Sequence, residues 1–442
     1  MRISGKFTGS MGFKAALIGA LILVMMMPTA LVRQIVRERS GRAQEVENEI
    51  IESWGGELRF AGPVLRVPCA RLEEVTLRDD KGRETKELRE SYFDLWITPS
   101  RTSLRVDLDT TRKSRGIFSV PVFSGTLRVD AEFDATEALA GLAGHETALA
   151  GEAEIVVAIE NQKGLRGLED PLWGGAPLSF KPGDAGLGLL TGGIRAAAPI
   201  APDEPVSFGA VLSVQGGGRV RLLPLGEDVD ATVSSDWTAP SYRGDYLPGS
   251  QTLGEDGFTA RWTVSHLSRG TPLSWTGSAR GDDRLSRAFF GVDLLEVLDL
   301  YALNDRAVKY AILFIVVPFL TMFLIETLGK RSIHPVQYAL AGIGNLVFYL
   351  LLLSLSEHIP FGAAYLASAA AVSSMVLAYS LSLFKDTSKA WYMGPVMAVS
   401  YLYLFITLQS EDWALLTGSV GAFCVIGIVM FVTRRVDWYG ER

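Results

Sequence analysis

Five long apolar runs in the last third of the chain constrain it most: residues 310–328, 337–356, 361–384, 391–408 and 414–433, separated by loops of a few residues. A helix that crosses the hydrocarbon core of a bilayer needs roughly 20 predominantly apolar residues. Each run comes close to that length, so residues 306–433 are expected to form five transmembrane helices. The loops carry an orientation signal, because Lys and Arg concentrate in short cytoplasmic loops. Lys330 and Arg331 follow the first run, Lys385 and Lys389 the third, and Arg434, Arg435 and Arg442 the fifth. The loops around Glu357-His358-Ile359-Pro360 and Gln409-Ser410-Glu411-Asp412 contain neither. The alternation predicts a cytoplasmic C-tail, 434–442. Arg306 and Lys309 stand on the opposite side, beside a long segment where the rule weakens.

A sixth apolar run, 15–32, comes after an N-tail (1–14) that carries Arg2, Lys6 and Lys14 and no acid. It exceeds the roughly 7–15 apolar residues of a signal peptide, and it ends against Arg33, Arg37 and Arg39 rather than at small cleavage-site residues. It reads as an uncleaved anchor with a cytoplasmic N-terminus. Beyond it, Ala43, Val46, Ile50 and Trp54 recur at spacings of three and four among polar residues, the stripe of an amphipathic helix. That helix, 33–54, is expected to pack on the domain C-terminal to it and to end at Gly55-Gly56.

From 57 to about 281 the pattern becomes one of short alternating runs. Leu104 to Asp109 and Leu127 to Phe133 alternate apolar with polar at period two, and 155–159, 206–214, 219–225 and 258–264 are further strand candidates. Gly216-Gly217-Gly218 and Pro182-Gly183 punctuate them. The expectation is a large β-rich domain, one antiparallel unit or two small ones, with sandwich and barrel both open. Flanked by an anchor that runs outward and a helix that runs inward, residues 33–305 are expected in the periplasm. The fold class is thus an α-helical polytopic membrane protein with a large β-rich periplasmic domain, six membrane helices and both termini cytoplasmic.

No motif for catalysis or metal binding is present. His145, His266, His334 and His358 belong to no His-Glu-x-x-His or Cys-x-x-Cys pattern. Residues 186–192 miss the dinucleotide fingerprint at its third glycine and read as a loop. Ser265-His266 lacks a Gly-x-Ser-x-Gly elbow and reads as a surface or half-buried strand histidine. A net charge of −7 gives no basic footprint for nucleic acid. Cys69 and Cys424 fall in the soluble part and in an apolar run, so no internal disulfide is expected. In the bundle, Glu326 and Glu357-His358 lie at the ends of apolar runs, where interfacial placement competes with a functional path. Asn345 is expected to hydrogen-bond a neighbouring helix. Ala363, Ala367, Ala370, Ala371 and Ser374 make a small-residue side suited to close packing.

At the start of the bundle the chain reads Leu303-Asn304-Asp305-Arg306-Ala307-Val308-Lys309-Tyr310, then Phe323-Leu324-Ile325-Glu326, His334-Pro335-Val336-Gln337-Tyr338, a run from Phe348 to Glu357-His358 and, at the end, Thr433-Arg434-Arg435-Val436-Asp437-Trp438-Tyr439. This series resembles the CreD family of bacterial inner-membrane proteins, and the resemblance extends to the anchor, to Gly62-Pro63-Val64-Leu65 and to Ser235-Asp236-Trp237. It implies a Gram-negative inner-membrane protein under two-component control, linked to envelope integrity, colicin tolerance and β-lactam responses. It supplies no catalytic residue and no cofactor. Signature positions without an assigned role are Arg306, Lys309, Tyr310, Glu326, His334, Pro335, Tyr338, Glu357, His358, Arg434, Asp437, Trp438 and Tyr439. The expected partners are the lipid bilayer and other envelope proteins or a peptidoglycan or lipid component, with no nucleic acid. A non-enzymatic envelope protein is favoured over a transporter or channel, for which no inverted repeat or matched Gly/Pro breaks appear. A membrane hydrolase is disfavoured by the missing motifs, and the cytoplasmic segments are too short for a sensor kinase.

Overall fold

Helix α1 (Met11–Trp54) runs unbroken through both the apolar anchor and the amphipathic stripe. This computed structural model describes residues 11–78, 84–141, 147–188, 190–200, 204–277, 285, 287–294, 300–329, 333–383, 391–410 and 413–434. The chain divides into a helical unit, Met1–Gln44 with Leu298–Arg442, and a sheet unit, Glu45–Val297.

The sheet unit contains, in order, β1 (Leu58–Arg78), β2 (Glu84–Ile97), β3 (Arg101–Arg115), β4 (Phe118–Phe133), α2 (Thr136–Ala140), β5 (Thr147–Leu149), β6 (Glu154–Ile159), β7 (Leu165–Trp173), β8 (Ala176–Pro177) and β9 (Lys181–Gly183). It continues with β10 (Gly193–Ala197), β11 (Val206–Gly217), β12 (Arg219–Leu223), β13 (Asp228–Ser235), β14 (Ser241–Gly244), β15 (Ser250–Gly254), β16 (Gly257–Ser265), α3 (His266–Arg269), β17 (Ser274–Thr276) and β18 (Phe290–Asp293). One sheet has the order β14-β18-β12-β1-β6-β10-β9, with β2 and β5 also on β1 and β17 on β2; the other runs β15-β16-β13-β3-β4-β11-β7-β8. The two share one core, in which Phe60, Leu65, Ile155 and Phe290 of the first sheet meet Val106, Leu127, Leu212 and Trp262 of the second. The arrangement is a sandwich.

Every strand candidate read from the alternation is a strand. In β3, Leu104, Val106 and Leu108 point inward while Arg105, Asp107 and Asp109 point out, as period two requires. The pairing is antiparallel, as expected of one large unit, except that β1 pairs β12 and β3 pairs β13 in parallel. Each parallel pair joins strands far apart in sequence, and parallel neighbours demand such a crossover. The alternation also missed β1. Its first half is buried on both faces: Phe60 and Leu65 point into the sandwich, while Ala61 and Val64 pack with Leu187, Leu223 and Phe289 on the other side. A strand buried on both faces reads as a continuous apolar run, and Pro63 and Pro68 argued against a strand at all.

The last turns of α1 close one part of this unit. Val46, Ile50 and Ile51 pack on Val120 and Val122 of β4. The Trp54 indole donates to the Phe123 carbonyl at 3.2 Å, and the Lys113 ammonium stands 4.2 Å above its ring. Gly55 and Gly56, both at positive φ, end the helix. Gly216 and Gly217 are not the turn their composition suggested but the end of β11. A Cβ on Gly216 would lie 2.7 Å from the Gly56 carbonyl, and one on Gly217 would lie 2.9 Å from Ile51. The glycines are there because the helix end approaches so closely.

The helical unit adds α4 (Leu300–Lys309), α5 (Ala311–Gly329), α6 (Pro335–Ser356), α7 (Phe361–Leu383), α8 (Met393–Gln409) and α9 (Ala414–Thr433) to α1. By length and composition α1, α6 and α7 can each cross a membrane, and α4 with α5 forms a fourth candidate bent by 45°. At that bend the Tyr310 N–H is shared between the Arg306 and Ala307 carbonyls, both at 3.2 Å. Helix α8 and the stretch Leu416–Phe431 of α9 are shorter apolar helices. On α7 the small-residue side read from the sequence is exposed. The buried face is one position round, at Ala364, Tyr365, Ser368, Ala369 and Val372, because that face carries the tyrosine and serine hydroxyls that find acceptors inside the bundle.

Candidate functional site

Glu326, in the last turns of α5, is 5% exposed and both its carboxylate oxygens hold donors. It accepts from Lys14 Nζ at 2.5 Å, from the Tyr338 hydroxyl at 2.7 Å and from the Ile333 backbone N–H at 3.1 Å. Two of the donors, Ile333 and Tyr338, come from around the start of α6 and the third from α1. His334 caps α6, its Nδ1 accepting from the Val336 N–H at 3.3 Å while Gln337 accepts from the His334 N–H at 2.9 Å. Pro335 occupies the first helical position, where no N–H is needed. The capping box fixes the first turn of α6 and so aims Tyr338 at Glu326. The segment His334-Pro335-Val336-Gln337-Tyr338 is therefore one device, a cap whose closing tyrosine grips a carboxylate.

At the other end of α6, Glu357 receives a bidentate Arg39 guanidinium, at 2.8 and 2.5 Å, and the Tyr301 hydroxyl at 3.0 Å. Burial alone would raise the Glu357 pKa, but the hydrogen bonds from Arg39 and Tyr301 outweigh it and hold the carboxyl below its ordinary range. Beside it Asn304 donates to Ser356 Oγ at 3.1 Å. Asp305 takes a second bidentate arginine, Arg33, at 2.8 and 3.1 Å. The neighbouring His358 is exposed, its Nδ1 3.1 Å from the Ser354 carbonyl.

Three ion pairs thus bracket the apolar part of α1. Lys14 and Arg33 are about 28 Å apart along a helix rising 1.5 Å per residue, close to the roughly 30 Å of a hydrocarbon core. Sequence reasoning singled out Glu326 and Glu357 but not their partners, although that spacing of bases on α1 was a usable signal.

Between these ends lies a polar relay. Asn345, 2% exposed, donates to the Phe314 carbonyl of α5 and accepts from the Tyr401 hydroxyl at 2.6 Å; Tyr365 donates to the Tyr401 carbonyl at 2.6 Å. The expected interhelical bond of Asn345 is present. Of the remaining signature residues, Arg306 is half-buried, Lys309 is exposed, Tyr310 sits at the α4–α5 bend, and the Arg434 guanidinium stands 4.1 Å over Phe431. Asp437, Trp438 and Tyr439 lie outside the described residues, as does His145.

In the sheet unit His266 begins α3 with Nδ1 4.0 Å from Glu227. The Cys69 thiol is buried, and burial raises its pKa. An open depression of about 540 Å³ is lined by Asp107, Asp109, Ser234, Asp236 and Thr252. Two of its acids hold internal donors, Asp236 from Thr110 and Asp107 from Ser234. Among the described residues no group of three or more His, Cys, Asp or Glu is placed to hold a metal ion.

Known proteins give the setting. A likeness to the M1 zinc metallopeptidase from Deinococcus radiodurans covers 74% of this chain and 93% of that one, at 12% identity and a TM-score of 0.23, too low to carry an argument. A match to "Inner membrane protein CreD" of Escherichia coli (strain K12) is 31% identical over 437 residues, 96% of this chain and 92% of that protein. The family model "Inner membrane protein CreD" matches residues 10–439. The chain therefore belongs to the CreD family of multi-pass inner-membrane proteins.

Proposed function

We propose that this chain is a non-enzymatic protein that maintains cell-envelope integrity and contributes to envelope-stress, colicin and β-lactam responses. In this reading its sheet unit lies in the periplasm and binds or senses an envelope component, and six membrane helices hold it with both termini cytoplasmic. One observation carries the reading: Asp305, Glu326 and Glu357 are each joined to a base of α1. Acids that tie helices together at the ends of apolar runs act as fasteners. A transport site is expected near the bilayer midplane on interrupted helices, where this unit offers Asn345, Tyr401 and Tyr365 bonded to one another.

Three experiments test this. A phosphatase fusion near Gly217 is expected to be active and a fluorescent-protein fusion there dark; the reverse would overturn the layout. Crosslinking in living cells from the sheet unit is expected to capture an envelope component. Purified protein in liposomes should carry no flux, and a proton or solute flux that Glu326→Gln abolishes at equal protein level would replace this reading with a transporter.

A further inference from the structure

The Lys14–Glu326 pair forms one wall of a cavity of about 130 Å³, otherwise lined by Leu17, Ile18 and Leu21 of α1 and by Ile333, Pro335 and Tyr338. At that size, below the roughly 300–1,000 Å³ of a drug-sized ligand's pocket, the cavity holds only part of a larger molecule. Its walls are mostly aliphatic, and it sits where the apolar run of α1 begins, the depth at which lipid headgroups meet acyl chains. The two charges of the pair are not equally open. The Glu326 side chain is 6% exposed, with three donors on its carboxylate, whereas the Lys14 side chain is 30% exposed. The charge shown at the cavity is therefore positive.

We propose that this cavity is a binding site for an anionic phospholipid, with the headgroup phosphate on Lys14 Nζ and the start of an acyl chain against Leu17 and Leu21. Basic pockets between membrane helices on the cytoplasmic side take anionic headgroups in this way. The ammonium has three donors, so it can serve the phosphate and Glu326 together. The site goes beyond the envelope role and rests on the proposed layout, with α1 in the bilayer and its N-terminal end on the cytoplasmic side.

The test uses the full-length protein, purified in detergent, stripped of lipid and examined by native mass spectrometry. It is titrated with phosphatidylglycerol, with phosphatidylcholine of the same chains, and with inorganic phosphate. One phosphatidylglycerol should be retained in preference to phosphatidylcholine, and phosphate should neither be retained nor displace it. Lys14→Gln should weaken retention about five-fold, one lysine's share of attraction to an anionic surface. Because that change also strips Glu326 of its partner, Leu17→Trp supplies a second variant, filling the cavity from a half-exposed position with the ion pair intact; it too should lose the lipid. Equal retention of the two lipids, retention unchanged in both variants, or full displacement by phosphate would overturn the proposal.

Discussion

The side chain of Asn345 donates a hydrogen bond to the carbonyl of Phe314, the backbone acceptor four residues before Pro318. Proline has no N–H, so that carbonyl has no helical partner, and α6 supplies one. A donor missing from one helix is made good by the next.

Asn345→Leu should therefore destabilise the helical unit by about 1–3 kcal/mol, the cost of leaving a buried acceptor unsatisfied. Pro318→Ala restores the N–H, so the double variant should recover most of that loss. Denaturant unfolding in detergent of the four proteins of the cycle measures the coupling, and strict additivity would break the link between these residues.

Arg39→Gln, which strands the buried Glu357 carboxylate, should destabilise the helical unit by about 1–3 kcal/mol, and Glu357→Gln by less, since the Arg39 side chain is 43% exposed and water can solvate it. The exchange Arg39→Glu with Glu357→Arg should restore part of it. The depressed Glu357 pKa sets the pH response: its stability is fully present above the unfolded carboxylate value and is lost as pH falls through the lower folded value. Thermal melts should thus stay level down to the ordinary carboxylate range and drop below it, with a smaller drop in Glu357→Gln.

Cys69 is buried and its thiolate disfavoured. In the native full-length protein it should resist alkylation at neutral pH and react only after denaturation. A fragment from Glu45 to Leu294 should show a strand-dominated circular dichroism spectrum that reductant does not alter. Rapid labelling of native Cys69 would contradict the packing of β1.

Gly216→Ala should destabilise the sheet unit by about 1–3 kcal/mol, because the new methyl would press on the Gly56 carbonyl and the Phe123 ring, both at 2.7 Å. Limited proteolysis near Trp54 should become faster. Gly254→Ala, with nothing within 4 Å of the added carbon, is the control and should leave it unchanged.

Sequence reading recovered what depends on neighbours along the chain. The apolar runs, the stripe Val46-Ile50-Trp54 and the alternation of β3 and β4 are local patterns, and the structure has them as helices and strands. It missed what depends on distant partners. Glu326 meets Lys14 across 312 residues and Glu357 meets Arg39 across 318, separations that periodicity cannot see. Asn345 was an exception in part: its bond to a neighbouring helix was expected, but the Phe314 carbonyl, four residues before Pro318, was not singled out as its acceptor.

The parallel pairing of β1 with β12 has a consequence for biogenesis. Leu58 finds its neighbour only at Val220, and Thr102 finds Val229. Non-local pairings of this kind close slowly, because loop entropy is lost before contacts reward it. Neither sheet can be completed while the ribosome is still making β11. If the sheet unit is exported, the segment crosses the membrane unfolded and must be shielded from its own unpaired strands until its second half arrives.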